Sequence, residues 1–154
     1  MRVAKLFDVD IYISKFMLLL IAVIIVTGYG GNITAIFLII IIHESAHIIA
    51  AKLLGMKVKE IEIWPFGGAV HIESIFELNP THEIIISIAG PISNIIMLLG
   101  YFGILQAGWI TGEHSNNFVN MNLILAGFNM IPALPLDGGR ILRAILSREI
   151  GIKR

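Results

Sequence analysis

The chain alternates long apolar runs with short polar links. Four runs, at residues 11–29, 33–54, 84–110 and 118–131, are long enough as helices to span or nearly span a hydrocarbon core of about 30 Å. None shows the strict alternation of a barrel strand, and in lipid only helices or closed barrels satisfy their own backbone, so the pattern predicts a helical bundle. The link between the second and third runs is different. Lys57-Val-Lys-Glu-Ile-Glu-Ile63 alternates polar and apolar positions, and Gly67-Gly68 is followed by Ala-Val-His-Ile-Glu. That period predicts a small β-hairpin on the cytoplasmic side within 57–78, with Trp64-Pro65-Phe66-Gly67-Gly68 at its tip, or else an interfacial loop with Trp64 anchored among headgroups. After the fourth run, Pro132, Pro135, Gly138 and Gly139 cannot continue a regular helix. Apolar flanks keep this stretch near the membrane, where irregular backbone has to be buried in protein or face water. Residues 138–147 then read as a short amphipathic helix for the interface. The expected architecture is an all-α membrane protein forming one unit over 1–154, with about four transmembrane helices, a small β-hairpin between helices 2 and 3, and a broken fourth helix.

Composition agrees: 56 % of the residues are hydrophobic and 14 % charged, too few charges for a soluble surface. There is no cysteine, which excludes disulfides and thiolate metal sites. Net charge is zero, but all eleven Lys and Arg lie in three places: Arg2, Lys5 and Lys15; Lys52, Lys57 and Lys59; and Arg140, Arg143, Arg148, Lys153 and Arg154. With four crossings, the positive-inside rule puts both termini and the link between the second and third runs in the cytoplasm of a multi-pass cell-membrane protein. Arg2, Lys5 and Lys15 before an apolar run also suit a secretory signal. The Thr-Gly-Tyr-Gly-Gly-Asn that follows offers no small-x-small cleavage site, so an uncleaved first helix is expected. In the third run, Asn79 or Thr81 can cap the helix, and Gly90-Pro91 suggests a kink or close helix packing.

Inside the second run sit His43-Glu44-Ser45-Ala46-His47. Two imidazoles and a carboxylate are expensive in lipid unless chemistry accounts for them. On a helix, residues four apart lie about 40° from eclipsed and project from one face, so His43 and His47 can share one metal ion. Glu44, beside them, is placed to act as general base toward an attacking water. Zinc hydrolases usually have a third protein ligand. His71, His82, His114, Glu73, Glu77 and Glu83 lie in or beside polar links, whereas Asp137 lies on the broken segment that returns to membrane depth. The expected ligands are therefore His43, His47 and Asp137. His47 is about seven residues, or roughly 10 Å, from the cytoplasmic end of its helix, the side on which Asp137 also lies.

With these residues in place, the chain resembles the site-2 protease family of intramembrane zinc metalloproteases, in the branch that contains the stage IV sporulation protein FB. The resemblance is carried by His-Glu-Ser-Ala-His at 43–47, Pro-Phe-Gly-Gly at 65–68, Ala-Gly-Pro at 89–91 and Asn-Met-Ile-Pro-Ala-Leu-Pro-Leu-Asp-Gly-Gly at 129–139. It implies that His43, His47 and Asp137 hold Zn2+, that Glu44 activates water, and that Asn129 orients the substrate backbone or stabilises the oxyanion. It also implies that the 64–68 loop dips into the membrane and helps to hold unwound substrate. Relatives in that branch continue into two further spans and a cytoplasmic regulatory domain, so a sequence ending at Arg154 fits either a minimal member or the core of a longer protein.

The expected function is a zinc metalloendopeptidase that cleaves a membrane-embedded or membrane-tethered protein near the cytoplasmic face, in regulated intramembrane proteolysis. Expected partners are that substrate, the lipid bilayer and regulatory membrane proteins, with no nucleic acid. Two other readings compete: an ion or proton transporter using His43, Glu44 and His47 as a relay, and a protease-like scaffold without chemistry.

Overall fold

A computed structural model describes residues 2–6, 9–27, 30–56, 58–64, 67–72, 79–110 and 115–150. The elements run β1 (Arg2–Leu6), β2 (Val9–Ile13), α1 (Lys15–Thr27), α2 (Gly30–Leu53), β3 (Val58–Trp64), β4 (Gly67–Ile72), α3 (Pro80–Gln106), α4 (Ser115–Asn129) and α5 (Asp137–Ile150). Most of the chain is helical. Pro65 and Phe66 of the expected hairpin tip, Glu73, Glu77 and His114 lie outside the described residues.

Strands β3 and β4 pair antiparallel, from Val58 with Ile72 to Trp64 with Gly67. They are half of a larger sheet, in the order β1-β2-β3-β4. β1 and β2 form an N-terminal antiparallel hairpin, and β2 runs parallel to β3, with Asp10 opposite Glu60 and Ile13 opposite Ile63. This corrects the first apolar run. Residues 11–13 are strand, and α1 starts only at Lys15. Val9-Asp-Ile-Tyr-Ile13 has a period of two, and its pairing partner lies some fifty residues further along the chain, so local hydropathy alone does not separate it from the helix. The boundary is nevertheless marked: the Ser14 hydroxyl accepts from the Met17 amide at 3.1 Å, an N-cap bond.

Among the described residues, two helices contain stretches long and apolar enough to cross a membrane, Ala35–Leu53 within α2 and Pro80–Gln106, which is α3. At 1.5 Å per residue, α1 and α4 are only about 20 Å long. The start of α3 is set by Asn79, whose side-chain oxygen accepts from the Thr81 amide at 3.0 Å, with Pro80 at a position that needs no donor. α3 packs against α2, α4 and α5, and so lies at the centre of the bundle.

Burial is inverted relative to a water-soluble domain. Among the described residues, six apolar side chains are buried against eleven polar or charged ones, while Leu19, Val26, Leu53, Ile96, Leu99 and Ile124 are open to the surroundings. In water such a surface would be a large apolar patch, but against lipid tails it carries no penalty, and the polar groups gather where the helices meet.

Candidate metal centre

Three of the buried polar side chains, those of His43, His47 and Asp137, meet at one point. His43 and His47 stand one turn apart on α2, with ring centroids 4.8 Å apart and ring planes at 81°. Each ring is held from α3 through its Nδ1 atom. His47 Nδ1 lies 2.7 Å from the Ile86 carbonyl oxygen, and His43 Nδ1 lies 2.7 Å from Asn94 Oδ1. A carbonyl can only accept, so His47 carries its proton on Nδ1 and turns the Nε2 lone pair inward.

Asp137 reaches the same point from a different part of the chain. Between α4 and α5 the backbone turns through Met130 to Leu136, with Leu136 N–H donating to the Ala133 carbonyl at 2.9 Å and Arg140 N–H to Leu136 at 3.1 Å. The first turn of α5 lies directly on this segment. A Cβ on Gly138 would fall 2.2 Å from the Met130 carbonyl oxygen, and one on Gly139 would fall 2.4 Å from the Ala133 carbonyl carbon. Backbone cannot give way as a flexible side chain can, so both positions exclude any side chain. The consequence is a fixed Asp137, 7 % exposed, with Oδ2 at 3.3 Å from each imidazole Nε2. Arg143, further along α5, ion-pairs with the buried Glu83 at the start of α3 and ties the two helices together.

One face of α3 organises the centre. Glu83 anchors α5, Ile86 holds His47, and Asn94 holds His43. Between them Gly90 brings bare backbone against the rings: a Cβ there would sit 2.3 Å from His47 Nε2 and 2.6 Å from His43 Nε2. The close packing expected at Gly90-Pro91 is thus the approach of α3 to the two histidines.

The donor geometry fits zinc. His43 Nε2, His47 Nε2 and Asp137 Oδ2 form a triangle with sides of 3.2, 3.3 and 3.3 Å. Donors at about 2.0–2.1 Å from a tetrahedral zinc stand roughly 3.3 Å apart. Two neutral imidazole nitrogens and a carboxylate oxygen are also the ligand types that zinc takes. Without a cation, buried lone pairs would face one another.

The structure brings together three of the residues expected as ligands, and Glu44, 6 % exposed, is buried beside them on α2. Asn129 is buried in the last turn of α4, and its amide donates to the Leu125 carbonyl one turn back at 3.0 Å. Glu83, weighed as a ligand from its sequence position, is engaged by Arg143. His82 is on α3 and, among the described residues, is not in the ligand group, while His71 is placed on β4 by its backbone. Sequence reasoning passed over Asn94 and Asn122. Both are fully buried at 0 % exposure, and a signal existed, since amide side chains within apolar helices need partners.

The sequence profile described as peptidase family M50 matches residues 31–115. The chain is 31 % identical to a zinc metalloprotease of Methanocaldococcus jannaschii over 97 % of its own length and 46 % of that protein's. It is 26 % identical to stage IV sporulation protein FB of Bacillus subtilis over 94 % of this chain and 50 % of the relative. The chain therefore spans about half the length of these relatives. Among solved structures, a site-2 protease from Methanocaldococcus jannaschii matches 99 % of this chain and 74 % of its own, with a TM-score of 0.77 and 31 % identity.

Proposed function

Because the chain belongs to peptidase family M50, we propose that it is a zinc endopeptidase acting on a membrane-embedded or membrane-tethered protein near the cytoplasmic face. The observation that carries this reading is the near-equilateral donor triangle of His43, His47 and Asp137, with the Glu44 carboxylate buried alongside. His43, His47 and Asp137 would hold the zinc, which would supply Lewis acidity toward the scissile carbonyl and the attacking water. Glu44 takes a proton from that water on a carboxylate oxygen and delivers it to the leaving amide nitrogen as the C–N bond breaks. Asn129 is the candidate to orient the substrate backbone, on the strength of its burial just before the segment that presents Asp137. A proton relay would need donors and acceptors in series; three donor atoms converging on one point favour a bound cation instead.

The charge pattern supports this membrane placement. Four crossings with both termini inside put all eleven Lys and Arg on one side, α1 and α4 crossing as shorter helices beside α2 and α3. A substrate helix hides its carbonyls in its own hydrogen bonds and has to unwind. β4 is an edge of the sheet and packs beside α2, which suits it to hold the unwound segment by strand addition.

The test is cleavage of a substrate with one transmembrane segment, co-reconstituted in liposomes. A zinc chelator should abolish cleavage and added zinc should restore it. Cleavage that persists undiminished in the metal-free protein would refute the reading.

A further inference from the structure

We propose that Asn94 and Asn122 form a directional hydrogen-bond relay that holds His43 as its Nδ1–H tautomer and so keeps Nε2 available to a metal. This rests on the metal reading above. The direction is set at the far end, by backbone. The Phe118 carbonyl can only accept, so the atom of Asn122 lying 2.9 Å from it is the amide nitrogen. Asn122 Oδ1 is then the atom that meets Asn94, at 3.2 Å, and an oxygen there requires a donor. Asn94 Nδ2 supplies it, and also reaches the Asn122 backbone carbonyl at 3.4 Å, a second group that can only accept. With its nitrogen committed, Asn94 turns Oδ1 toward His43 Nδ1 at 2.7 Å, and the imidazole has to donate.

No other orientation satisfies the chain. Flipping Asn94 would set its oxygen against two acceptors and its N–H groups against the His43 proton. Flipping Asn122 would set oxygen against the Phe118 carbonyl. Asn94 and Asn122 are 0 % exposed and His43 is 1 % exposed, so water does not repair a mismatch. The relay also opposes a real competitor. Asp137 Oδ2, 3.3 Å from His43 Nε2, would accept a hydrogen bond from that nitrogen, and the Nε2–H tautomer would close the site to a metal. His47 needs no relay because the Ile86 carbonyl does the same work directly. Asn94 and Asn122 are thus positioning residues, and Asn122 acts on His43 from α4 through Asn94.

The experiment is nitrogen NMR of the histidine rings in the metal-free protein in detergent micelles, at mildly alkaline pH, combined with zinc titration. Wild-type His43 is expected as the Nδ1–H tautomer. Asn94→Leu, with the same branching but no hydrogen bonds, should shift His43 toward Nε2–H and weaken zinc binding about 10- to 100-fold, the usual cost of losing such a partner. Asn94→Asp still offers His43 an acceptor and should bind zinc more tightly than Asn94→Leu. Asn122→Leu should release the Asn94 amide and give a mixture of tautomers. A wild-type His43 found as Nε2–H overturns the relay without any mutation, as does an Asn94→Leu protein with wild-type tautomer and zinc affinity. A wild type with the Nδ1–H tautomer that binds no zinc would instead overturn the metal reading.

Discussion

Gly90→Ala should give a folded chain that has lost its metal. The added methyl carbon would sit 2.3 and 2.6 Å from the two Nε2 atoms, well inside contact distance. The rings cannot swing aside cheaply, because each is held through Nδ1, to Asn94 and to the Ile86 carbonyl, and both holds come from α3 itself. Either the rings leave those partners or α3 withdraws from α2; in both cases the donor triangle opens. Stability should change little by comparison. Overpacking costs about 1–3 kcal/mol, and alanine in place of glycine within a helix returns roughly 0.5–1 kcal/mol. Zinc affinity should fall by more than the roughly 100-fold upper range for losing an outer hydrogen-bond partner. Zinc titration beside a thermal melt checks this: a stable variant that binds zinc like the wild type would refute the close approach of α3.

Glu44→Gln should separate binding from chemistry. Glutamine keeps the volume of a side chain that is 6 % exposed but removes its charge and its ability to carry a proton. Glu44 lies outside the donor triangle, so zinc content should stay close to wild type. Cleavage should fall about 10²- to 10⁴-fold, the range for removing a general base. Turnover of the tethered substrate, measured on protein of known zinc content, decides the point. Wild-type turnover in this variant would assign the proton transfer elsewhere.

The centre was legible in the sequence where its signal was local. His43 and His47 share a helix face through their spacing alone, and Asp137 stood out because Pro132, Pro135, Gly138 and Gly139 break an apolar run. What required the structure was set by contacts distant in sequence. β2 is a strand because β3 lies alongside it, and the strand pattern of 9–13 runs directly into an apolar helix. Gly90 is a glycine because two rings from α2 touch it, a fact that no spacing within α3 encodes. Asn94 and Asn122 act together across α3 and α4, 28 residues apart. The pairing of Glu83 with Arg143 spans 60 residues, and from sequence alone Glu83 was one more candidate ligand.

His43, His47 and Asp137 are proposed to hold one zinc ion together. Zinc measured per chain, in purified wild type and in Asp137→Ala, tests it most directly. One zinc per chain in the wild type, lost or greatly weakened without the Asp137 carboxylate, is the expected result. A wild type that stays metal-free when zinc is supplied, or a variant that keeps its zinc undiminished, would contradict it.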